Sequence, residues 1–347
     1  MSQSIREMFG AIGRMKRLVL LVTAIGVTAS VASAQQIPAF RLMHTIPLPG
    51  VHGRIDHFDV DLAGRRLFMS ALGNDTLEVF DLRTNEVVHT IGGLREPQGI
   101  TYVPVSRRIF MANGGDGTVR VFDGDTYKLL KIVHFPGDAD DTRYDAAANQ
   151  VIVGYGDAGE AGLAFLDGST GKLLATIKLP DHPESFQLEK SGSRIFVNIP
   201  TAGNIIDVVD RTGRKVIATW RLTGAVANFP MALDGKDHRL FVTCRSPAEM
   251  LVLDTRSGEI VARVPAVGAA DDMWYDAARK SIYITGGEGF ISVIRQEDAN
   301  HYRGIAQIRT VPGGRTSLFL PQWNRLFLGV WGLWGRPEEL RIYEIGP

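Results

Sequence analysis

The chain has 347 residues, with 38 Lys and Arg against 38 Asp and Glu, so its formal net charge is zero at neutral pH, and it holds one cysteine, Cys244. That balance leaves nothing to draw a polyphosphate backbone onto the surface, and a single cysteine excludes an intrachain disulfide. Length alone allows one large all-β domain or two ordinary ones, but the 38 Gly and 16 Pro are spread along the chain without a low-complexity linker, which suits many short strands joined by tight turns.

The first element in chain order reads as a leader. Met15-Lys16-Arg17, an apolar run from Leu18 through Val27, and Ala32-Ser33-Ala34 reproduce a positive start, a hydrophobic stretch and an A-x-A cleavage site. Export to the periplasm or beyond, with cleavage after Ala34, is the expectation, and Met15 serves as well as Met1 for the start of translation. The run falls short of the roughly 20 strongly apolar residues that span a bilayer, so the mature chain is expected to have no transmembrane segment. Residues 35–347 carry 34 basic and 37 acidic side chains, a net charge of −3, and nucleic acid stays excluded as a partner.

A repeat follows. The short strand Arg66-Leu67-Phe68-Met69 returns as Arg108-Ile109-Phe110-Met111, Gln150-Val151-Ile152-Val153, Arg194-Ile195-Phe196-Val197, Arg239-Leu240-Phe241-Val242, Ser281-Ile282-Tyr283-Ile284 and Arg325-Leu326-Phe327-Leu328. With the second residue of each copy as anchor, the seven copies are 42, 42, 44, 45, 42 and 44 residues apart, near the period of a four-stranded propeller blade. After each anchor come a turn, such as Leu72-Gly73-Asn74-Asp75, a second strand, such as Leu77-Glu78-Val79-Phe80-Asp81, and a third alternating segment, such as Glu86-Val87-Val88-His89-Thr90-Ile91. Period-2 alternation with β-branched residues marks these as strands.

The last repeat stops after Leu340-Arg341-Ile342-Tyr343, one strand short, and Phe40-Arg41-Leu42-Met43-His44-Thr45-Ile46 at the other end has the fourth-strand pattern. Pairing the two removes both exposed edges. The prediction is one all-β domain over 35–347, a seven-bladed β-propeller of four-stranded blades, closed by a strand at 40–47 pairing with the last blade.

The units "RIFMANGGDGTVRVFDGDTYKLLKIV" at 108–133 and "RLFMSALGNDTLEVFDLRTNEVVHTI" at 66–91 resemble the YVTN-type repeat of YncE-like bacterial periplasmic propellers, over nearly all of the mature chain. The literal Tyr-Val-Thr-Asn box is altered to Phe-Met-Ala-Asn, Phe-Val-Thr-Cys and Tyr-Ile-Thr-Gly, so the likeness lies in pattern and spacing. It implies a fold and a compartment and carries no single reaction, because propellers host many functions. The Gly-His and Trp-Asp pairs of WD40 repeats and a regular kelch diglycine are absent.

In a propeller the first strand of each blade lines the central channel, so residues at one register before the anchors meet around the axis. Eleven residues before the anchors stand Asp56, Gln98, Asp140, Glu184, Phe229, Asp271 and Arg315; ten before stand His57, Gly99, Asp141, Ser185, Pro230, Asp272 and Thr316; thirteen before stand Arg54, Glu96, Asp138, His182, Ala227, Ala269 and Gly313. Six of the seven at the first register are charged or amide-bearing, and beside the exception, Phe229, is Asn228. Carboxylates crowded on an axis repel, and a proton, a cation or a basic ligand group must relieve them. Asp61, Asp145, Glu189, Asp234 and Asp276, six before the anchors, belong instead to turns on the opposite face.

Two arrangements fit this ring. In one, a divalent cation is held by a subset of His57, His182, Glu184, Asp140, Asp141, Asp271 and Asp272, the four aspartates being the core metal candidates. In the other, Arg54 and Arg315 grip the carboxylate of a small acid, with Asp56, Gln98 and Asn228 as further ligand contacts, while His57 or His182 moves a proton and Glu184 orients it. One member of each Asp pair equally serves to bond backbone amides.

Asn74, Asp116, Tyr155, Arg245 and Glu288 stand in loops on the same face, and Trp331 and Trp334 offer either a lid and protein contact or packing against the blade edge. The functional expectation is a monomer that binds a small polar, anionic molecule at the channel mouth, with hydrolase or lyase chemistry as its enzymatic form. The alternative is a non-catalytic scaffold for a periplasmic protein. Cys244 reads as a buried hydrophobe, no G-x-S-x-G elbow occurs, and no C-x-x-C-H haem attachment is present.

Overall fold

The computed structural model describes residues 38–333 and 335–346; the leader expected at 1–34 and Trp334 lie outside the described residues. Seven antiparallel four-stranded sheets form a seven-bladed β-propeller. The inner strands, in blade order, are Phe58–Asp61, Pro97–Val103, Ala139–Asp145, Phe186–Leu188, Val226–Asp234, Ala270–Asp276 and Gly314–Leu320. The seven predicted anchors all lie in the second strands. Phe40–Pro47 pairs antiparallel with Glu339–Ile345, Leu42 facing Tyr343 and Ile46 facing Leu340, so the closure expected from the two incomplete ends is present. Among the described residues no helix is long and apolar enough to cross a membrane.

The apolar core is divided among the blade interfaces. Each second strand buries its anchor on one side and the next residue, usually aromatic, on the other: Leu67 packs with Phe327 and Leu318 between blades 7 and 1, while Phe68 packs with Tyr102 and Ile109 between blades 1 and 2. Seven clusters, one per interface, result. Fully burying a side chain such as Phe68 contributes about 1.5–3 kcal/mol before entropy is counted, and it does so only when the next blade is in place.

Polar contacts between neighbouring blades, most of them between inner strands, complete the circle. Tyr102 donates its backbone N–H to Asp59 at 2.6 Å, Thr101 donates to Thr142 at 2.8 Å, Gln187 donates to the Met231 carbonyl at 2.9 Å and Arg245 to the Ala270 carbonyl at 2.9 Å. Ser317 donates its N–H to Asp272 at 2.7 Å, and Thr316 its hydroxyl to the Ile55 carbonyl at 3.1 Å. Between blades 3 and 4 the guanidinium of Arg143 lies 5.6 Å from the ring centre of Phe186.

Call the face carrying the loops that lead into the inner strands the upper face. On the lower one, Asp61, Asp145, Asp234 and Asp276 accept backbone N–H groups in their turns, as expected, and Glu189 accepts both the backbone N–H of Arg194 at 3.4 Å and its Nε at 3.0 Å. The arginine that opens the anchor strand has a part the repeat did not announce. Arg66, Arg194 and Arg239 each reach into the following blade, to the carbonyls of Gly124, Thr255 and Ala299. Arg239, buried, also bonds Asn300 Oδ1 at 2.7 Å and Asp254 at 2.8 Å. Replacing Arg239 with Ala is expected to cost about 2–4 kcal/mol, whereas Arg83→Ala, in an exposed pair with Asp81, should cost under about 0.5 kcal/mol; urea unfolding midpoints of the two variants check the contrast.

Candidate functional site

A regular strand sends successive side chains to opposite faces, yet the axial residues come in consecutive pairs. The structure resolves this with a β-bulge in the inner strands of blades 2, 3, 5, 6 and 7, all at the same register, and with a like pairing just before the inner strands of blades 1 and 4. In blade 6, Ala270 faces Gly286 and Asp272 faces Thr285, leaving Asp271 over; in blade 7, Gly314 faces Val330 and Thr316 faces Gly329, leaving Arg315. The same extra residue occurs at Gln98-Gly99, Asp140-Asp141 and Phe229-Pro230. In blades 1 and 4 a single residue bonds both members of a pair, Ser70 to Asp56 and His57, and Asn198 to Glu184 and Ser185. A bulge re-aims side chains, and here Asp56 with His57, Asp140 with Asp141, and Glu184 with Ser185 all line one cavity, together with Arg54, Phe229 and Asp271.

That cavity is small, about 30 Å³, where a single buried water needs about 10–15 Å³ on the same kind of measure. The charged groups therefore meet each other rather than an open channel. Asp271 is held by Arg245 at 2.5 Å and by Arg315 at 2.7 Å, with Arg54 3.9 Å away. Arg54 is 3.1 Å from Asp56. Arg143, which the sequence reading did not single out, pairs with Asp141, and the guanidinium of Arg245 stacks 3.6 Å from the ring centre of Phe229. Both oxygens of Asp56, Oδ1 of Asp140 and Oδ2 of Asp141 are buried without a hydrogen-bond partner.

The two histidines behave alike. Burial alone would strip the proton from His57, but Asp56 and Asp272, each 3.7 Å from one ring nitrogen, with Asp141 and Asp140 beyond, outweigh it and raise its pKa to about 9. At His182 burial is outweighed by Asp140, 3.5 Å from Nε2, and by the Gly156 carbonyl, which accepts Nδ1–H at 2.6 Å, and the pKa rises to about 10. Both rings are imidazolium ions at neutral pH. Each ring has a hydrogen-bond or charge acceptor at both nitrogens, so in this state either could give up a proton as an acid but has no free lone pair to take one.

The carboxylates divide. Burial, joined by the charge of Asp140, pushes Glu184 up to about 8, and burial pushes Asp272 up to about 7 and Asp138 to about 6. Asp140 goes the other way, because the His182 hydrogen bond and the charges of His57 and Arg54 overcome its burial. Glu184 is thus a protonated acid at neutral pH, next to groups that are charged.

The sequence reading let Asp140, Asp141, Asp271 and Asp272 act together on a divalent cation. In the structure they are engaged separately, by His182, Arg143, the Arg245 and Arg315 pair, and the Ser317 amide. Among the described residues no three His, Cys, Asp or Glu side chains are gathered to ligate one ion. Gln98 bonds Asp138 at 2.8 Å and stays outside the cavity lining. Asn228 is fully buried and donates to Asn198 Oδ1 at 2.9 Å and the Ile205 carbonyl at 3.2 Å, a strut between blades 4 and 5 that does not line the cavity.

Of the loop candidates, Arg245 joins the ring, whereas the others are engaged locally. Asn74 bonds Gly50 and Thr76, Asp116 bonds Thr118 and Arg120, Tyr155 stacks on Phe135, and Glu288 accepts the Gly268 amide. Trp331 packs against Gly313, where an added Cβ would lie 2.0 Å from the indole nitrogen, and under Arg315 at 5.6 Å. Of the two readings for this residue, packing against its own blade is the one the structure contains.

No protein-family model matches the chain, and no curated protein matches it in sequence. Solved structures match in fold. A chain of the Kuenenia stuttgartiensis hydrazine synthase structure aligns with a TM-score of 0.73 at 14% identity, over 84% of this chain and 95% of that one. A chain of a mitotic checkpoint complex structure aligns with a TM-score of 0.72 at 11% identity, over 96% of this chain and 100% of that one. At these identities the likeness is one of fold alone.

The ring makes stability depend on pH in a definite direction. Folding raises the proton affinity of Glu184 from 4.5 to about 8, of Asp272 from 3.8 to about 7, and of the histidines from 6.5 to about 9 and about 10. In each window the folded chain binds more protons than the unfolded one, so stability falls as pH rises. The melting temperature should drop from pH 5 to pH 10, and Glu184→Gln should flatten the slope between pH 5 and 8. A melting temperature constant across that interval in the parent chain would contradict the assignment.

Proposed function

We propose that the protein binds a small anion, of carboxylate chemistry, at the upper mouth of the channel. The observation that carries this reading is the convergence of Arg54, Arg245 and Arg315 on the single carboxylate of Asp271, each arginine retaining some exposure at the mouth. Charge-assisted, two-pronged guanidinium contacts are the usual means of carboxylate recognition, and Asp271 occupies the position that a ligand carboxylate would take. The blades do not need such a ring to pack, since every interface has its own apolar cluster, and buried ion pairs add little stability over apolar groups of equal volume. With about 30 Å³ inside, the body of the ligand lies over the ring and only its acidic group reaches the arginines. The Met15 to Ala34 pattern supports export, and with it a receptor that works outside the cytoplasm.

A binding role is favoured over hydrolysis or elimination by the two cationic imidazoles. Glu184, raised to about 8, and Asp272, raised to about 7, are the carboxyl groups able to exchange a proton near neutral pH, and of the two Glu184 lines the cavity. The scaffold reading is supported by a different feature from the tryptophan loop: the outer strands of blades 1 to 4 expose Val88, Leu130, Leu174 and Ile217, which suits a lateral protein contact.

Calorimetric titration with acetate and succinate tests the receptor. Arg245→Ala and Arg315→Ala should each weaken binding by roughly 10- to 100-fold, the worth of one charge-assisted contact, and Asp271→Asn, which removes the internal competitor, should tighten it. Equal affinities in parent and arginine variants, at matched melting temperatures, would count against the site.

A further inference from the structure

The lower face holds a pocket of a different kind. It measures about 480 Å³, within the roughly 300–1,000 Å³ typical of sites for organic molecules, against about 30 Å³ at the axis. Its floor comes from one register of the repeat. Leu188, Leu233 and Tyr275 each stand seven residues before their anchors, at the lower ends of the inner strands of blades 4, 5 and 6. At the same register Tyr102 and Phe319 are buried, whereas these three, like Val60 and Tyr144, are only partly buried, and they line the pocket. The floor is rigid. Tyr275 donates its hydroxyl to Gln296 at 2.5 Å, and Gln187 ties blade 4 to blade 5 through the Met231 carbonyl at 2.9 Å.

The rim is charged with one sign free. Lys190 and Lys236, in the hairpins of blades 4 and 5, are exposed, and among the described residues neither enters an ion pair. The two acids that line the same pocket are committed elsewhere. Glu189 is bound by Arg194 Nε at 3.0 Å, and Asp234 accepts the Lys236 amide at 3.1 Å and Gln296 Nε2 at 2.9 Å. Two uncompensated ammonium groups above an apolar and aromatic floor match a molecule with a flat hydrophobic body and an acidic head.

We infer that this pocket between blades 4, 5 and 6 is a second binding site, for an amphipathic organic anion. It is independent of the axial ring, lies on the opposite face and uses none of the same residues. The probe is 8-anilinonaphthalene-1-sulfonate, titrated by fluorescence into the folded full-length chain. One saturable site is expected. The double variant Lys190→Glu and Lys236→Glu should weaken binding at least about tenfold, as two exposed charge reversals predict, and raised salt should weaken it in the parent. The uncharged N-phenyl-1-naphthylamine should bind several-fold less tightly, and Arg245→Ala should leave the affinity unchanged. Leu233→Asp gives a second variant, aimed at the floor. Absence of saturable binding, a neutral probe held as tightly as the anionic one, or an affinity within twofold of the parent in the double variant would each overturn the proposal.

Discussion

Seven inner strands cannot converge on one axis without bringing together whatever side chains they carry there, and in this chain those side chains are charged. Closing the ring is what gives each blade a neighbour for its apolar faces, so closure is unavoidable, and with it the crowding of Asp56, Asp140, Asp141, Glu184 and Asp271 around a space of about 30 Å³. Charges so far from bulk water persist only if opposite charges or protons accompany them. Arg54, Arg143, Arg245, Arg315 and the two imidazolium rings supply the first remedy, and the protonated Glu184 the second. The axis is thus an ionic plug whose charge state is decided by proximity more than by the ordinary affinity of any member.

The repeated bulge is the device that makes the plug dense. With plain alternation each inner strand would turn one residue of a pair toward the axis and bury the other between blades. Inserting one residue at the same register lets Asp56 and His57, or Asp140 and Asp141, face the cavity together. It also explains why the histidines are pinned. His57 stands between carboxylates of its own blade and of blade 6, and His182 between a carboxylate and a carbonyl of blade 3.

The two faces put the same repeat to different ends. Near the top of the inner strands, side chains of opposite charge meet head to head and leave room for water. Near the bottom, acids turn into their own hairpins, and arginines such as Arg239 cross to the next blade. What remains open there is apolar: Leu188, Leu233 and Tyr275, with lysines at the edge. One face offers charge recognition with little volume, and the other volume with little fixed polarity.

The seven-bladed fold was legible in the sequence because it rests on local periodicity: anchors 42 to 45 residues apart, alternating strands, and a missing last strand whose pattern stands at Phe40 to Ile46. The axial membership of Asp56, Asp140, Glu184 and Asp271 followed from the same counting, since a common register on a closed ring means a common centre. Tertiary structure alone decided who pairs with whom. Asn228 faces inward to blade 4 instead of the channel, Arg143 enters the ring from a position three residues further along its strand, and the proton affinities of His57 and His182 are raised by carboxylates of blades 6 and 3 as well as by Asp56 beside His57. Pairing and proton affinity depend on distances of a few ångströms across blades, and sequence spacing along one strand contains no such distance.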